Sequence, residues 1–134
     1  MPIENRLRAN PYVREAVVFG QDRPYLSALI EIEFETAADW ASRNNIPFTG
    51  FTSLIESPEI IRFMGAEIER VSKLLSRHEQ IKAFRILPKE LDPAEDEGPL
   101  TSTRKMKRDV MYNKFRDLLE SMYQSSESGE KHLR

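Results

Sequence analysis

The chain has 134 residues, 40% hydrophobic and 31% charged, with 20 Lys and Arg against 22 Asp and Glu for a net charge of −2. That is the size of a single domain with one modest core, and its charge balance argues against bulk attraction to nucleic acid or acidic lipid. The lack of cysteine excludes disulfides, thiolate metal sites and a cysteine nucleophile, and two histidines, His78 and His132, are too few for a His-rich metal centre.

Residues 2–10 read as a short helix: Pro2 suits a first turn, Ile3 and Leu7 are spaced i,i+4, and Asn10-Pro11 stops the pattern. Residues 13–20 follow, where Val17, Val18 and Phe19 favour a buried strand. Turn chemistry comes next at residues 20–24, which include Gly20, Asp22 and Pro24. Residues 25–34 then alternate, with Leu26, Ala28, Ile30 and Ile32 on one face and Ser27, Glu31 and Glu33 opposite, so residues 13–34 form a hairpin.

A short helix is expected over residues 35–44, and residues 48–55 read as an apolar connector. Ser57, Pro58 and Glu59 make a helix start, and Ile60, Met64, Ile68, Val71 and Leu75 carry the helical spacing to about residue 78. A third strand is expected over residues 82–87. Residues 88–104, with Pro88, Pro93, Gly98 and Pro99, read as a loop. Met111, Phe115, Leu118 and Met122 place a last helix over about 108–123, and the polar residues 125–134 are expected to be disordered. The elements give an α+β domain over residues 1–124, a small three-stranded sheet with flanking helices. No apolar run reaches the ~20 residues of a membrane span and residues 1–15 hold no signal-peptide core, so the expected location is cytoplasmic.

Chemistry concentrates in one stretch. Residues 89–98 set Lys89 against Glu90, Asp92, Glu95, Asp96 and Glu97, and run directly into a segment with Arg104, Lys105, Lys107, Arg108, Lys114 and Arg116. Thr101, Ser102 and Thr103 put hydroxyl donors beside these cations, a combination suited to a phosphate or carboxylate. The plain alternative is a solvated basic face. No glycine-rich phosphate loop occurs, so an autonomous nucleotide pocket is not expected. His78 reads as a surface or helix-end histidine. Glu31 and Glu33 share a strand face but lack the cleft a glycosidase pair needs. Trp40, Phe48 and Phe51 read as core or interface filler.

The segments Pro2-Ile-Glu-Asn-Arg-Leu7, Val13-Arg-Glu-Ala-Val-Val-Phe-Gly20 and Asp22-Arg-Pro-Tyr-Leu26 resemble the C-terminal domain of long-chain fatty-acid–CoA ligases, members of the AMP-forming acyl-adenylating superfamily. Leu100-Thr-Ser-Thr-Arg-Lys-Met-Lys-Arg108 resembles that family's final motif, Leu-Thr-Pro-Thr-x-Lys-x-Lys-Arg, with Ser102 where the pattern often has Pro. The resemblance covers residues 2–123. It implies the mobile lid domain of a larger enzyme, the large N-terminal adenylation domain being its partner and the holder of Mg2+, most of the ATP site and the acyl tunnel. The substrates it implies are a long-chain fatty acid, ATP and CoA, with no nucleic acid, and with peripheral membrane association of the full enzyme as a further expectation. It also implies that a lysine of the last motif enters the site for adenylation and withdraws for thioester formation. The family register favours Lys105, with Lys107 the runner-up and Thr103 beside them, while Arg23 is the candidate contact to a CoA phosphate. Two other readings stay open from the residues alone: a stand-alone regulatory or protein-interaction module, and a weak nucleic-acid binder using the 104–116 cations.

Overall fold

The structure, a computed structural model, describes residues 2–95, 98–101 and 106–124. Helix α1 (Pro2–Arg8) leads into strands β1 (Val13–Phe19) and β2 (Leu26–Ile32), followed by helices α2 (Phe34–Arg43), α3 (Phe51–Glu56) and α4 (Pro58–Ser72). Strand β3 (Ile81–Ile86) and helices α5 (Arg108–Lys114) and α6 (Arg116–Gln124) complete the domain. The sheet order is β1-β2-β3, with β1 antiparallel and β3 parallel to β2. A parallel neighbour requires a crossover, which the α2–α4 segment supplies. The expected α+β architecture, a three-stranded sheet with flanking helices, is therefore the one observed.

The central strand is apolar on both faces. Ala28, Ile30 and Ile32 enter a core with Leu7, Val18, Leu54, Ile60, Met64 and Ile68, so α1, α3 and α4 cover that side. Leu29 points the other way and joins Val17, Ala83, Met111, Leu119 and Met122 beneath α5 and α6. The face assigned to Ser27, Glu31 and Glu33 is thus a second core, with Ser27 and Glu31 both fully buried. A strand with a neighbour on each side and helices on both faces has no solvated surface.

Three boundaries differ from the periodicity. The connector before residue 57 contains α3, whose first turn is tied by the Ser53 hydroxyl accepting the Thr49 N–H at 2.7 Å and the Gly50 N–H at 3.1 Å. Helix α4 ends at Ser72, whose Oγ accepts the Ile81 N–H at 2.8 Å and so ties the helix end to the start of β3. His78 consequently lies in a 3₁₀ turn (Arg77–Glu79), exposed, rather than at a helix end. The last helix is two helices, broken at Phe115 (φ −117°, ψ 29°), whose ring is buried in the second core. Trp40, Phe48 and Phe51 pack on the first core as expected, Trp40 stacking on Phe63 with centroids 3.9 Å apart.

Candidate functional site

The acidic-to-basic segment is anchored at both ends by apolar pins. Leu91 and Leu100 are 5% and 2% exposed, and Leu100 pairs with Met106 in an antiparallel bridge. The Lys107 N–H donates to the Pro99 carbonyl at 2.7 Å, which joins the chain at Pro99 to the residue immediately before α5. Lys105 and Thr103, together with Ser102 and Arg104, lie outside the described residues. Lys107 is half-buried, and the Glu95 carboxylate pairs with Lys114 of α5. That contact holds the Glu95 carboxyl below the usual carboxylate range and raises the Lys114 ammonium.

The start of α5 is tied to the sheet edge next to it. Arg108, first residue of α5, donates through Nη1 to the Val18 carbonyl at 2.6 Å and through Nη2 to Glu4 Oε2 at 2.8 Å. The same Glu4 oxygen accepts the Val18 N–H at 2.7 Å. Since β1 is an edge strand, the two outward-facing polar groups of Val18 are satisfied by an ion pair where another strand would otherwise sit. The Arg108 guanidinium also lies 5.5 Å from the Phe19 ring centroid.

Arg23 sits in the hairpin turn, where Asp22 takes a left-handed conformation (φ 61°) that a short polar side chain tolerates. Its two terminal nitrogens reach the Glu120 carboxylate at 2.8 and 2.5 Å, and its guanidinium stacks 4.6 Å from the Tyr123 ring centroid. The bond from Arg23, with a second from the Tyr112 hydroxyl at 3.1 Å, keeps the Glu120 carboxyl below the usual range. Burial pushes the Tyr123 phenol up, and its oxygen sits 2.7 Å from the Ser27 hydroxyl. Arg23 and Arg108 line one cleft of about 220 Å³ with Phe19, Gln21 and Tyr112, so the hairpin turn and the end of the basic segment meet there.

The other sequence candidates are structural. Glu31 is fully buried and accepts the Leu91 N–H at 2.9 Å, while Arg14 stands 3.9 Å from both Glu31 and Glu33. These carboxylates organise the sheet's exit and the start of the acidic segment. Glu4 and Glu120 are the residues that sequence reasoning missed. Glu4 reads locally as a first-turn acid of a helix and Glu120 as a surface residue, and neither has a sequence signal that names its arginine.

The chain matches the family model described as "AMP-binding enzyme C-terminal domain" over residues 1–127, and it belongs to that family. It is 37% identical over 122 residues to the long-chain-fatty-acid–CoA ligase FadD15 of Mycobacterium tuberculosis, covering 90% of this chain and 20% of that protein. It thus spans about a fifth of the length of this relative. Among solved structures it resembles the A-PCP didomain of a carboxylic acid reductase from Segniliparus rugosus in complex with AMP, with a TM-score of 0.65 and 19% identity over 92% of this chain and 16% of that one. The adenylation domain of a carboxylate reductase from Mycobacterium chelonae is similar, with a TM-score of 0.65 and 22% identity over 91% of this chain and 17% of that one.

Proposed function

We propose that this chain is the C-terminal lid domain of an ATP-dependent, AMP-forming long-chain fatty-acid–CoA ligase acting in the cytoplasm, and that Lys105 is its adenylation lysine. The observation that carries the reading is the family match over residues 1–127, which includes the final motif at its full spacing. The 37% identity to a long-chain ligase supports the substrate class.

In this reading a fatty-acid carboxylate attacks the α-phosphorus of ATP and displaces pyrophosphate. The CoA thiol then attacks the acyl carbonyl and displaces AMP. The Lys105 ammonium enters for the first step, where a compact cation stabilises charge developing on carboxylate and phosphate oxygens and holds them in line. It leaves for the second as the domain rotates, a lid-type step. Thr103 and Lys107 flank it. Arg23, on the hairpin turn, is the contact to a CoA phosphate. In the same reading Mg2+ is held by the large N-terminal domain. No helix among the described residues is long and apolar enough to cross a membrane.

The test is a half-reaction comparison in the full-length protein carrying this domain. Lys105→Ala should slow acyl-adenylate formation by about 10²–10³ and leave thioester formation from supplied acyl-adenylate unchanged. Equal loss in both steps would sink the assignment. The isolated 134-residue chain, given ATP, Mg2+, oleate and CoA, should form no acyl-CoA.

A further inference from the structure

We infer that Glu4, Arg8, Glu15 and Arg108 take the place of a neighbouring strand along β1, and that they keep this edge from pairing with the β1 of a second copy. The same pattern occurs at two residues. The Val18 N–H donates to Glu4 Oε2 at 2.7 Å, and the Val18 carbonyl accepts Arg108 Nη1 at 2.6 Å. The Ala16 N–H donates to Glu15 Oε1 at 3.2 Å, and the Ala16 carbonyl accepts Arg8 Nη2 at 3.3 Å. Each residue thus gives its N–H to a carboxylate and its carbonyl to a guanidinium, as it would to the backbone of an adjacent strand. Carboxylate and guanidinium are also bonded to each other, Arg108 to Glu4 at 2.8 Å and Arg8 to Glu15. The Glu4 and Glu15 side chains are both 7% exposed, so the acceptors are shielded rather than surface charges.

Helix geometry explains how α1 can serve this edge. Glu4 and Arg8 are i,i+4, about 6 Å apart along the helix axis. Ala16 and Val18 are two residues apart on a strand, about 6.8 Å. One turn of α1 therefore matches one outward repeat of β1, and the helix presents an acceptor to Val18 and a donor to Ala16. The side chains of Ala16 and Val18 are buried in the first core, so the edge itself offers backbone and not apolar surface. What such an edge fits is another extended backbone. A second β1 suits it by symmetry. In a two-fold antiparallel pair centred on Val17, Ala16 of one copy lies opposite Val18 of the other, and the two exchange both backbone bonds. Residues 16–18 are Ala-Val-Val, with no charge or proline to block the pair once the four side chains are gone.

The test is the oligomeric state of the 134-residue chain with the four side chains replaced. The wild-type chain should sediment as a monomer from about 10 µM to 1 mM, the range in which unpaired edges associate. The variant Glu4→Ala/Arg8→Ala/Glu15→Ala/Arg108→Ala should reach twice the wild-type mass as its concentration rises. When dilute, its Ala16 and Val18 amides should exchange at least about tenfold faster than in wild type, and they should be protected again in the dimer. Glu4→Ala/Arg108→Ala and Arg8→Ala/Glu15→Ala should each stay monomeric, because an opened residue would face a guarded one in the second copy. Each should speed exchange at one amide alone, Val18 in the first and Ala16 in the second. If the fourfold variant does not fold, Glu4→Ala/Arg8→Ala replaces it. That change opens the Val18 N–H and the Ala16 carbonyl, which the two-fold pair brings together, and the same mass and protection are expected. A fourfold variant, or its replacement, that stays monomeric or associates without protecting Ala16 and Val18 would overturn the inference. So would equal association by either pair variant, or a wild-type dimer already paired at β1.

Discussion

Arg23 and Glu120, 97 residues apart in sequence, meet as a bidentate pair at 2.8 and 2.5 Å that fastens the hairpin turn to the last helix. Their side chains are 27% and 29% exposed, so the pair is neither dry nor fully solvated. The same arginine is the proposed contact to a CoA phosphate, and the two roles separate by experiment. Arg23→Ala in the full-length protein should raise the KM for CoA and leave adenylate formation intact. Glu120→Gln keeps the arginine charge and releases it, so it should not raise that KM. If both variants raise it equally, Arg23 is a brace and leaves the list of site residues.

The same pair sets a pH dependence. The bond from Arg23 lowers the Glu120 carboxyl in the folded protein, so its contribution to stability is present above the unfolded carboxyl value of about 4.3 and fades as the pH falls through the lower native value. Glu120→Gln should therefore reduce urea stability at pH 7 by about 0.5–1 kcal/mol. The wild-type and variant stabilities should converge below pH 4. A difference that persists unchanged into acid would show that the carboxylate charge is not its source.

Lys107 is the competing lysine. Its backbone N–H lies 2.7 Å from the Pro99 carbonyl, and this bond survives truncation of the side chain. Lys107→Ala should keep both half-reactions within about tenfold of wild type, as expected for a cation at the rim of a site. A larger loss in adenylation than that of Lys105→Ala would exchange the two roles.

Glu31 makes a prediction about folding rather than catalysis. Its carboxylate is fully buried and accepts the Leu91 N–H at 2.9 Å. Glu31→Leu deprives that amide of its acceptor in a buried setting, a loss of about 1–3 kcal/mol. Denaturant unfolding should show the loss, and amide exchange at Leu91 should accelerate. Unchanged exchange at Leu91 would mean that another acceptor takes over.

Leu29→Ala tests the second core. Leu29 is fully buried on the sheet face opposite Ile30, against the helices that follow the basic loop. Truncation should reduce stability by about 2–5 kcal/mol. Leu74→Ala, at a residue 71% exposed, should change stability by less than about 0.5 kcal/mol. Comparable losses at the two positions would contradict the assignment of the core.

The elements with a clean period were legible in the sequence. Ile3 and Leu7 marked α1, the alternation at Leu26, Ala28, Ile30 and Ile32 marked β2, and Pro58 marked the start of α4, because each is a local pattern of side chains against backbone geometry. The family resemblance was legible as well, since the order and spacing of residue types are properties of the chain alone. What only the tertiary structure decided is what each polar residue faces. Glu31 alternates like a solvent-facing strand residue and is buried because α5 and α6 cover that face. The break at Phe115 follows from seating its ring in the second core, which no helical period announces. The pairs Arg23–Glu120 and Glu4–Arg108 join residues 97 and 104 positions apart. A charge carries no sequence label for its distant partner, and only packing the hairpin and α1 against the last helices brings these carboxylates within hydrogen-bonding reach of those arginines.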